Sequence, residues 1–200
     1  MSASFLPFVL FALVASITPG PTNLLVLNNG ARHGLLASLP AVFGACAAAA
    51  AIVLLVGSGF GDLLARLPQV QLAMNAAGIA WLSYLAWKIF RSPPPDLGAP
   101  GAMPGRFGLF AAASLQLVNP KTWMMALAVL GVFAGHGPDQ GLRTLQLAAI
   151  FFVVSLPCLA AWACLGVGSA RLLRSPTALR RFNQAMGLLL LVSAWLGLLL

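Results

Sequence analysis

Apolar residues fill six long stretches of this chain, and short segments that carry most of its charges separate them. A helix needs about 20 mainly apolar residues to cross the hydrocarbon core of a bilayer, and each stretch is close to that length. The six predicted spans are Ser4 to Leu27, Leu35 to Gly57, Val70 to Phe90, Leu109 to Ala134, Leu145 to Gly168 and Phe182 to Leu200. The connections are short, so the sequence predicts a single transmembrane domain over residues 1–200.

Composition supports the same class. Hydrophobic residues make up 60% of the chain and charged residues only 7%, which is not the composition of a soluble domain of this size. The spans leave no room for a nucleotide-binding fold or a receptor module outside the membrane. An integral membrane protein in contact with the lipid bilayer is therefore expected.

The positions of the basic residues predict the orientation in the membrane. Of the eleven Lys and Arg, eight flank the first, third and fifth connections: Arg32, Lys88, Arg91, Arg106, Arg171, Arg174, Arg180 and Arg181. The opposite connections have only Arg66 and Arg143, and by the positive-inside rule both termini face outside. The charges lie close to helix ends, where snorkelling and anionic lipids account for them. No nucleic-acid partner is predicted.

Weak internal similarities predict two repeats of three spans each. Asn75 and Gly78 near the start of the third span are echoed by Asn183 and Gly187 near the start of the sixth. A unit with three spans reverses direction, so the second copy must be inverted relative to the first. The predicted fold is all-α, with six transmembrane helices in two inverted three-helix repeats. Its parts are repeat one at about 1–91, a cytoplasmic linker at 92–106 and repeat two at 107–200.

The first helix of each repeat carries proline inside the membrane. The two motifs are Thr18, Pro19, Gly20, Pro21, Thr22 and Asn23 in span one, and Asn119, Pro120, Lys121 and Thr122 in span four. Proline breaks a helix because it lacks an N–H and clashes with the preceding turn. The freed helix ends carry partial charges that suit the carboxylate and ammonium of a zwitterion. We predict that the ten residues bind a small zwitterionic amino acid across one cavity; kinks that serve only packing are the alternative.

Lys121 strengthens the prediction of a polar cavity. A lysine at the centre of a transmembrane helix costs about 2.5 to 3.5 kcal/mol on insertion scales. The three acidic residues, Asp62, Asp96 and Asp139, all fall in connections. Lys121 therefore either stays charged and binds a substrate carboxylate or a helix end, or acts as the titratable group of proton-coupled transport.

The chain resembles the lysine exporter (LysE/RhtB) superfamily of bacterial amino-acid efflux proteins. The resemblance lies in the six spans, in Pro19-Gly20-Pro21 followed by Asn23, in the segment from Gln116 to Lys121, and in the segment from Ala80 to Lys88. It implies export of amino acids or derivatives across the bacterial inner membrane, driven by the proton-motive force. The segments most similar to the cysteine/O-acetylserine branch are Thr18 to Asn23, Leu85 to Ile89 and Ser92-Pro93; a homoserine/threonine substrate is the other candidate. Many relatives have an aspartate where this chain has Thr22.

Two other functions stay open at this stage. Cys46 and Cys158 occupy corresponding places in the two repeats, with Cys164 nearby, so a membrane thiol–disulfide carrier is conceivable. A passive channel is the second alternative. The two histidines, His33 and His136, have no Cys or acidic companions at metal-ligand spacing, so neither a metal nor another cofactor is predicted. The expected protein is a transporter and not an enzyme, and assembly into a homo-oligomer is left open.

Overall fold

The computed structural model describes residues 5–60, 67–91, 107–134, 139–172 and 175–196. Within these ranges the chain forms eight α-helices and no strands. They are α1 (Leu6–Ile17), α2 (Pro21–His33), α3 (Leu35–Leu55), α4 (Pro68–Phe90), α5 (Leu109–Val118), α6 (Pro120–Val129), α7 (Gln140–Leu172) and α8 (Pro176–Leu196). Helices α3 and α6 continue into π-helical turns at Val56–Phe60 and Leu130–Ala134. The predicted linker 92–106 lies outside the described residues, as do Asp62, Arg66, His136 and Arg174.

Both proline motifs break their helices, as the sequence predicts. Helices α1 and α2 are bent by 58°, and α5 and α6 by 70°. Pro21 and Pro120 each occupy the first turn of the following helix, where the missing N–H costs nothing. The residue before each proline, Gly20 or Asn119, has an extended backbone, because proline disfavours the helical conformation at that position.

The packing pairs each broken helix with the long helix of the other half. Helix α2 lies along α7, α5 lies along α3, α3 and α7 pack against each other, and α4 pairs with α8. Glycine allows the closest approaches: a Cβ added at Gly44 would lie 2.3 Å from the Leu109 carbonyl oxygen, and one at Gly166 would lie 2.0 Å from that of Leu27.

The helices account for up to four membrane spans by length and composition. Two continuous helical segments qualify, Leu35–Phe60 and Gln140–Ser169, and each bent pair can form one further span. The apolar part of α4, Ala76–Phe90, is shorter than these spans. The protein is therefore an all-helical membrane protein, and the six-span, two-repeat arrangement stays a prediction.

Two of the three apolar clusters among the described residues lie on either side of the helix breaks. The first includes the buried residues Phe8, Ala12, Ala49, Ile52, Val53, Val129, Leu147 and Phe151. The second includes Val26, Ala41, Val42, Ala45, Cys46, Ala112, Leu159 and Ala163. Members of both clusters line the cavity described below.

Candidate functional site

A cavity of about 50 Å³ lies where the two helix breaks meet. Its polar side is formed by Ser16, Gly20, Pro21, Thr22, Asn23, Gln116, Asn119, Lys121 and Thr122. The structure thus brings seven of the ten predicted site residues to one cavity. Three do not line it: Pro19 is exposed, Pro120 is buried, and Thr18 contributes only its carbonyl, which accepts a bond from Lys121.

Side chains satisfy the carbonyls that the first break sets free. The Ser16 carbonyl accepts from Asn23 Nδ2 at 2.8 Å, that of Ile17 from Trp162 Nε1 at 3.2 Å, and that of Thr18 from Lys121 Nζ at 3.0 Å. An unsatisfied carbonyl within a membrane costs several kcal/mol. These three bonds therefore provide partners for carbonyls that the end of α1 leaves without intrahelical donors.

The Lys121 ammonium group sits at the negative end of α1. Its bond to the Thr18 carbonyl places a positive charge where the helix dipole favours one. Both Nζ and Cδ of this lysine lie 3.2 Å from the position that a Cβ at Gly20 would occupy. The lysine head thus needs the space that glycine leaves at residue 20.

Gln116 connects both helix breaks to α3, a role that the sequence analysis missed. Its Oε1 accepts from Thr122 Oγ1 at 2.6 Å, from Asn119 Nδ2 at 3.3 Å and from Thr22 Oγ1 at 3.4 Å. Its Nε2 donates to the Ala45 carbonyl at 3.3 Å. The available signal was a polar residue one turn before Asn119 in an otherwise apolar stretch.

The Gln116→Leu variant is expected to lower the free energy of unfolding by about 2 to 3 kcal/mol. The substitution keeps an apolar side chain of similar length but leaves the donors of Thr22, Asn119 and Thr122 without their shared acceptor, and an unmade buried hydrogen bond costs about 1 to 3 kcal/mol. Thermal unfolding in detergent measures the loss. Gln146→Leu, on an exposed position of α7, is the matched control and should unfold like the parent. Equal unfolding temperatures for both variants would contradict the proposed importance of this network.

Ser16 is a second residue that the sequence analysis missed. Its side chain is only 7% exposed, lines the cavity, and has a hydroxyl without a hydrogen-bond partner among the described residues. A buried polar group normally has a partner. The Ser16 hydroxyl is therefore available to a molecule bound in the cavity.

The cavity has an electropositive part and a part rich in acceptors. Lys121 and the start of α2, where Gly20 supplies no capping side chain, both favour an anionic group. The Ser16 hydroxyl and the carbonyl side of the Asn23 amide lie near the negative end of α1 and can accept from a cation. This arrangement can hold opposite charges a few ångströms apart.

The cysteines differ in their surroundings. Cys46 is buried and lines the cavity, Cys158 is buried in α7 and Cys164 is exposed; all three are free thiols. Within the described ranges, no three His, Cys, Asp or Glu side chains cluster as metal ligands would. Asn183 hydrogen-bonds Asn28 of α2 at 3.5 Å, a contact between helices away from the cavity.

Two relatives match this chain over nearly its whole length. A cysteine/O-acetylserine efflux protein of Escherichia coli O139:H28 is 30% identical over 197 residues, which cover 94% of this chain and 93% of the relative. An uncharacterized membrane protein of Vibrio cholerae is 27% identical over 189 residues, covering 92% and 90%. A cysteine/O-acetylserine efflux protein of Klebsiella pneumoniae is 30% identical over 126 residues, and this match spans only 63% of either chain. No solved structure matches the chain.

The residue range matched by the family model includes both helix breaks. The family model described as LysE type translocator matches residues 13–199, a range that includes every residue lining the cavity. The match confirms the resemblance carried by the two proline motifs, and the family is one of transporters and not of enzymes. This chain therefore belongs to the LysE type translocator family.

Proposed function

We propose that this protein is a secondary transporter that exports small zwitterionic amino acids or their derivatives from the cytoplasm. The observation that carries the proposal is the meeting of two broken helices at a cavity lined by polar side chains, with one cation, Lys121, among the described lining residues. Discontinuous helices of this kind form substrate sites in secondary transporters. The names of the relatives support the cysteine/O-acetylserine type, and the homoserine/threonine type is the alternative within the same class.

The cavity suggests how a zwitterion would lie. We place the substrate carboxylate between Lys121 Nζ and the uncapped start of α2, where a positive charge and a helix N-terminus act together. The ammonium group then lies against the Ser16 hydroxyl and the Asn23 amide oxygen, near the negative end of α1. Each charged group of the substrate meets a complementary one without any acidic side chain among the lining residues.

The size of the cavity indicates that transport requires it to widen. A volume of about 50 Å³ holds a few waters, since one water needs roughly 10 to 15 Å³ by this measure. Buried residues of these two apolar clusters border the cavity, so widening it requires packed helices to separate. We propose that the cavity opens alternately to the two sides of the membrane, with the breaks at Gly20 and Asn119 serving as hinges.

The proposed location is the bacterial inner membrane, with both termini outside.

We propose that export is driven by the proton-motive force through proton antiport. Among the described residues that line the cavity, Lys121 is the only charged one. It is therefore the candidate titratable group through which proton movement is coupled to export.

Export can be tested with purified protein in liposomes preloaded with radiolabelled cysteine, O-acetylserine, threonine, homoserine or lysine. We expect saturable efflux of a subset of the four neutral compounds, at least tenfold faster than from protein-free liposomes, and faster still with an imposed proton gradient. Absence of stimulated efflux for all five compounds would overturn the proposed function. Efflux that never saturates would indicate a passive channel, and efflux indifferent to a protonophore would overturn proton coupling alone.

A further inference from the structure

Part of the cavity wall is formed by residues that the sequence analysis did not predict as site residues. Helices α3 and α7 supply Ala45, Cys46 and Ala49 from one side and Phe151, Ser155 and Leu159 from the other. All six side chains are buried, at 0 to 6% exposure. In the proposed function, the two broken helices bind the charged groups of the zwitterion. This wall is therefore the part of the cavity that contacts the substrate side chain.

Small residues dominate this wall, and two large ones limit its depth. Ala45, Cys46, Ala49 and Ser155 leave space, whereas Phe151 belongs to the first apolar cluster and Leu159 to the second. Both large residues are therefore held in place by the packed interior behind them. Such a wall suits side chains up to the size of those of homoserine and threonine, and it collides with larger ones, including that of leucine and the acetyl ester of O-acetylserine.

Ser155 adds a polar group to the wall. Its hydroxyl donates to the Phe152 carbonyl at 3.0 Å, so its hydrogen is already used within α7. Ser155 also lies beside the Cys46 thiol. A hydroxyl has two acceptor lone pairs, so the Ser155 oxygen can receive a hydrogen bond from a substrate O–H or S–H group.

We infer that the α3–α7 wall selects substrates with short, uncharged, polar side chains, with Ala49 and Phe151 setting the maximum size and Ser155 recognising the polar group. The inference rests on the proposed amino-acid export and makes it more specific. Basic amino acids are excluded, because the lining residues provide Lys121 but no carboxylate to pair with a second cation. The cavity thus rejects lysine although the family takes its name from a lysine exporter.

Three substitutions test the wall in the liposome assay. Ala49→Val should lower efflux of homoserine relative to cysteine by about tenfold, because a single methylene in a confined pocket changes selectivity roughly 10- to 200-fold. Phe151→Ala should raise leucine efflux relative to threonine by at least about tenfold for the same reason. Ser155→Ala should lower the preference for homoserine over norvaline, which has a similar shape and no hydroxyl, by about tenfold or more.

Ala51→Val is the matched control for Ala49→Val, since Ala51 is exposed on the same helix and does not line the cavity. It should keep the substrate ranking of the parent. A parent that exports neutral amino acids and whose ranking is unchanged in all three wall variants would overturn this inference while leaving the proposed function intact. Lysine efflux at the rate of the neutral substrates would overturn the exclusion of basic side chains.

Alkylation of Cys46 provides a readout that does not depend on transport. In a Cys158→Ser, Cys164→Ser background, Cys46 is the only thiol, and it lines the wall. Homoserine should slow its reaction with N-ethylmaleimide at least about threefold in the parent but not in Ala49→Val, and leucine should protect only in Phe151→Ala. Unchanged protection patterns would overturn the inference even where a variant transports poorly.

Discussion

Replacing Lys121 with alanine is expected to lower the initial rate of substrate efflux by at least about 30-fold. The lysine is the only charged residue among the described residues lining the cavity, and it lies at the junction of both broken helices. Removing one partner of a buried charge pair costs about 2 to 5 kcal/mol, and every 1.4 kcal/mol is about tenfold in affinity. Efflux of cysteine and homoserine from liposomes, measured over a range of concentrations, gives the ratio of Vmax to KM for parent and variant.

Two further variants distinguish the loss of the Lys121 charge from a change in side-chain shape and from the general effect of removing a lysine. Lys88→Ala removes a cation that is exposed near the end of α4, beside the Tyr84 ring, and should export at the parent rate. Lys121→Arg keeps the charge but brings a larger, planar head against Gly20, so it should restore only part of the activity. Parent-level efflux by a folded Lys121→Ala protein would remove Lys121 from the proposed substrate path.

The helix breaks were predictable because their causes are local. Pro21 and Pro120 act on the residue before them and on the turn that precedes it, so the sequence alone locates both breaks. The cost of leaving the Lys121 cation in hydrocarbon predicted a polar cavity around it. These two features gave most of the polar side of the cavity before any packing was known.

The rest of the cavity depended on how helices rotate against each other. The run from Ala47 to Ala51 follows Gly44 and indicates only close packing, yet Ala49 lines the cavity while Ala51 is exposed. Ser16 and Ser155 are ordinary polar residues of apolar helices, and serine there commonly bonds its own helix. Only the contact between α3 and α7 assigns Ser155 to a cavity wall, and such a contact leaves little trace in one sequence.

A methyl group at Gly166 is expected to destabilise the protein by about 3 kcal/mol. The Cβ of Gly166→Ala would lie 2.0 Å from the Leu27 carbonyl oxygen and 2.9 Å from the Ala31 amide nitrogen. Both are backbone atoms of α2, which cannot move aside as a side chain would. Overpacking of this kind costs about 1 to 3 kcal/mol and occasionally more. Since α2 carries Thr22 and Asn23 at its other end, displacing it also disturbs the cavity.

Thermal unfolding in detergent measures this effect, with an expected fall of about 10 °C, because 1 kcal/mol corresponds to about 2 to 4 °C for a chain of this length. Gly168→Ala makes the same substitution two residues further along α7, where nothing lies within 4 Å of the added methyl. Alanine is favoured over glycine within a helix by about 1 kcal/mol, so this control should unfold at or slightly above the parent temperature. A similar unfolding temperature for the two variants would mean that α2 and α7 are not in backbone contact at Gly166, and that the cavity built on that contact is wrong.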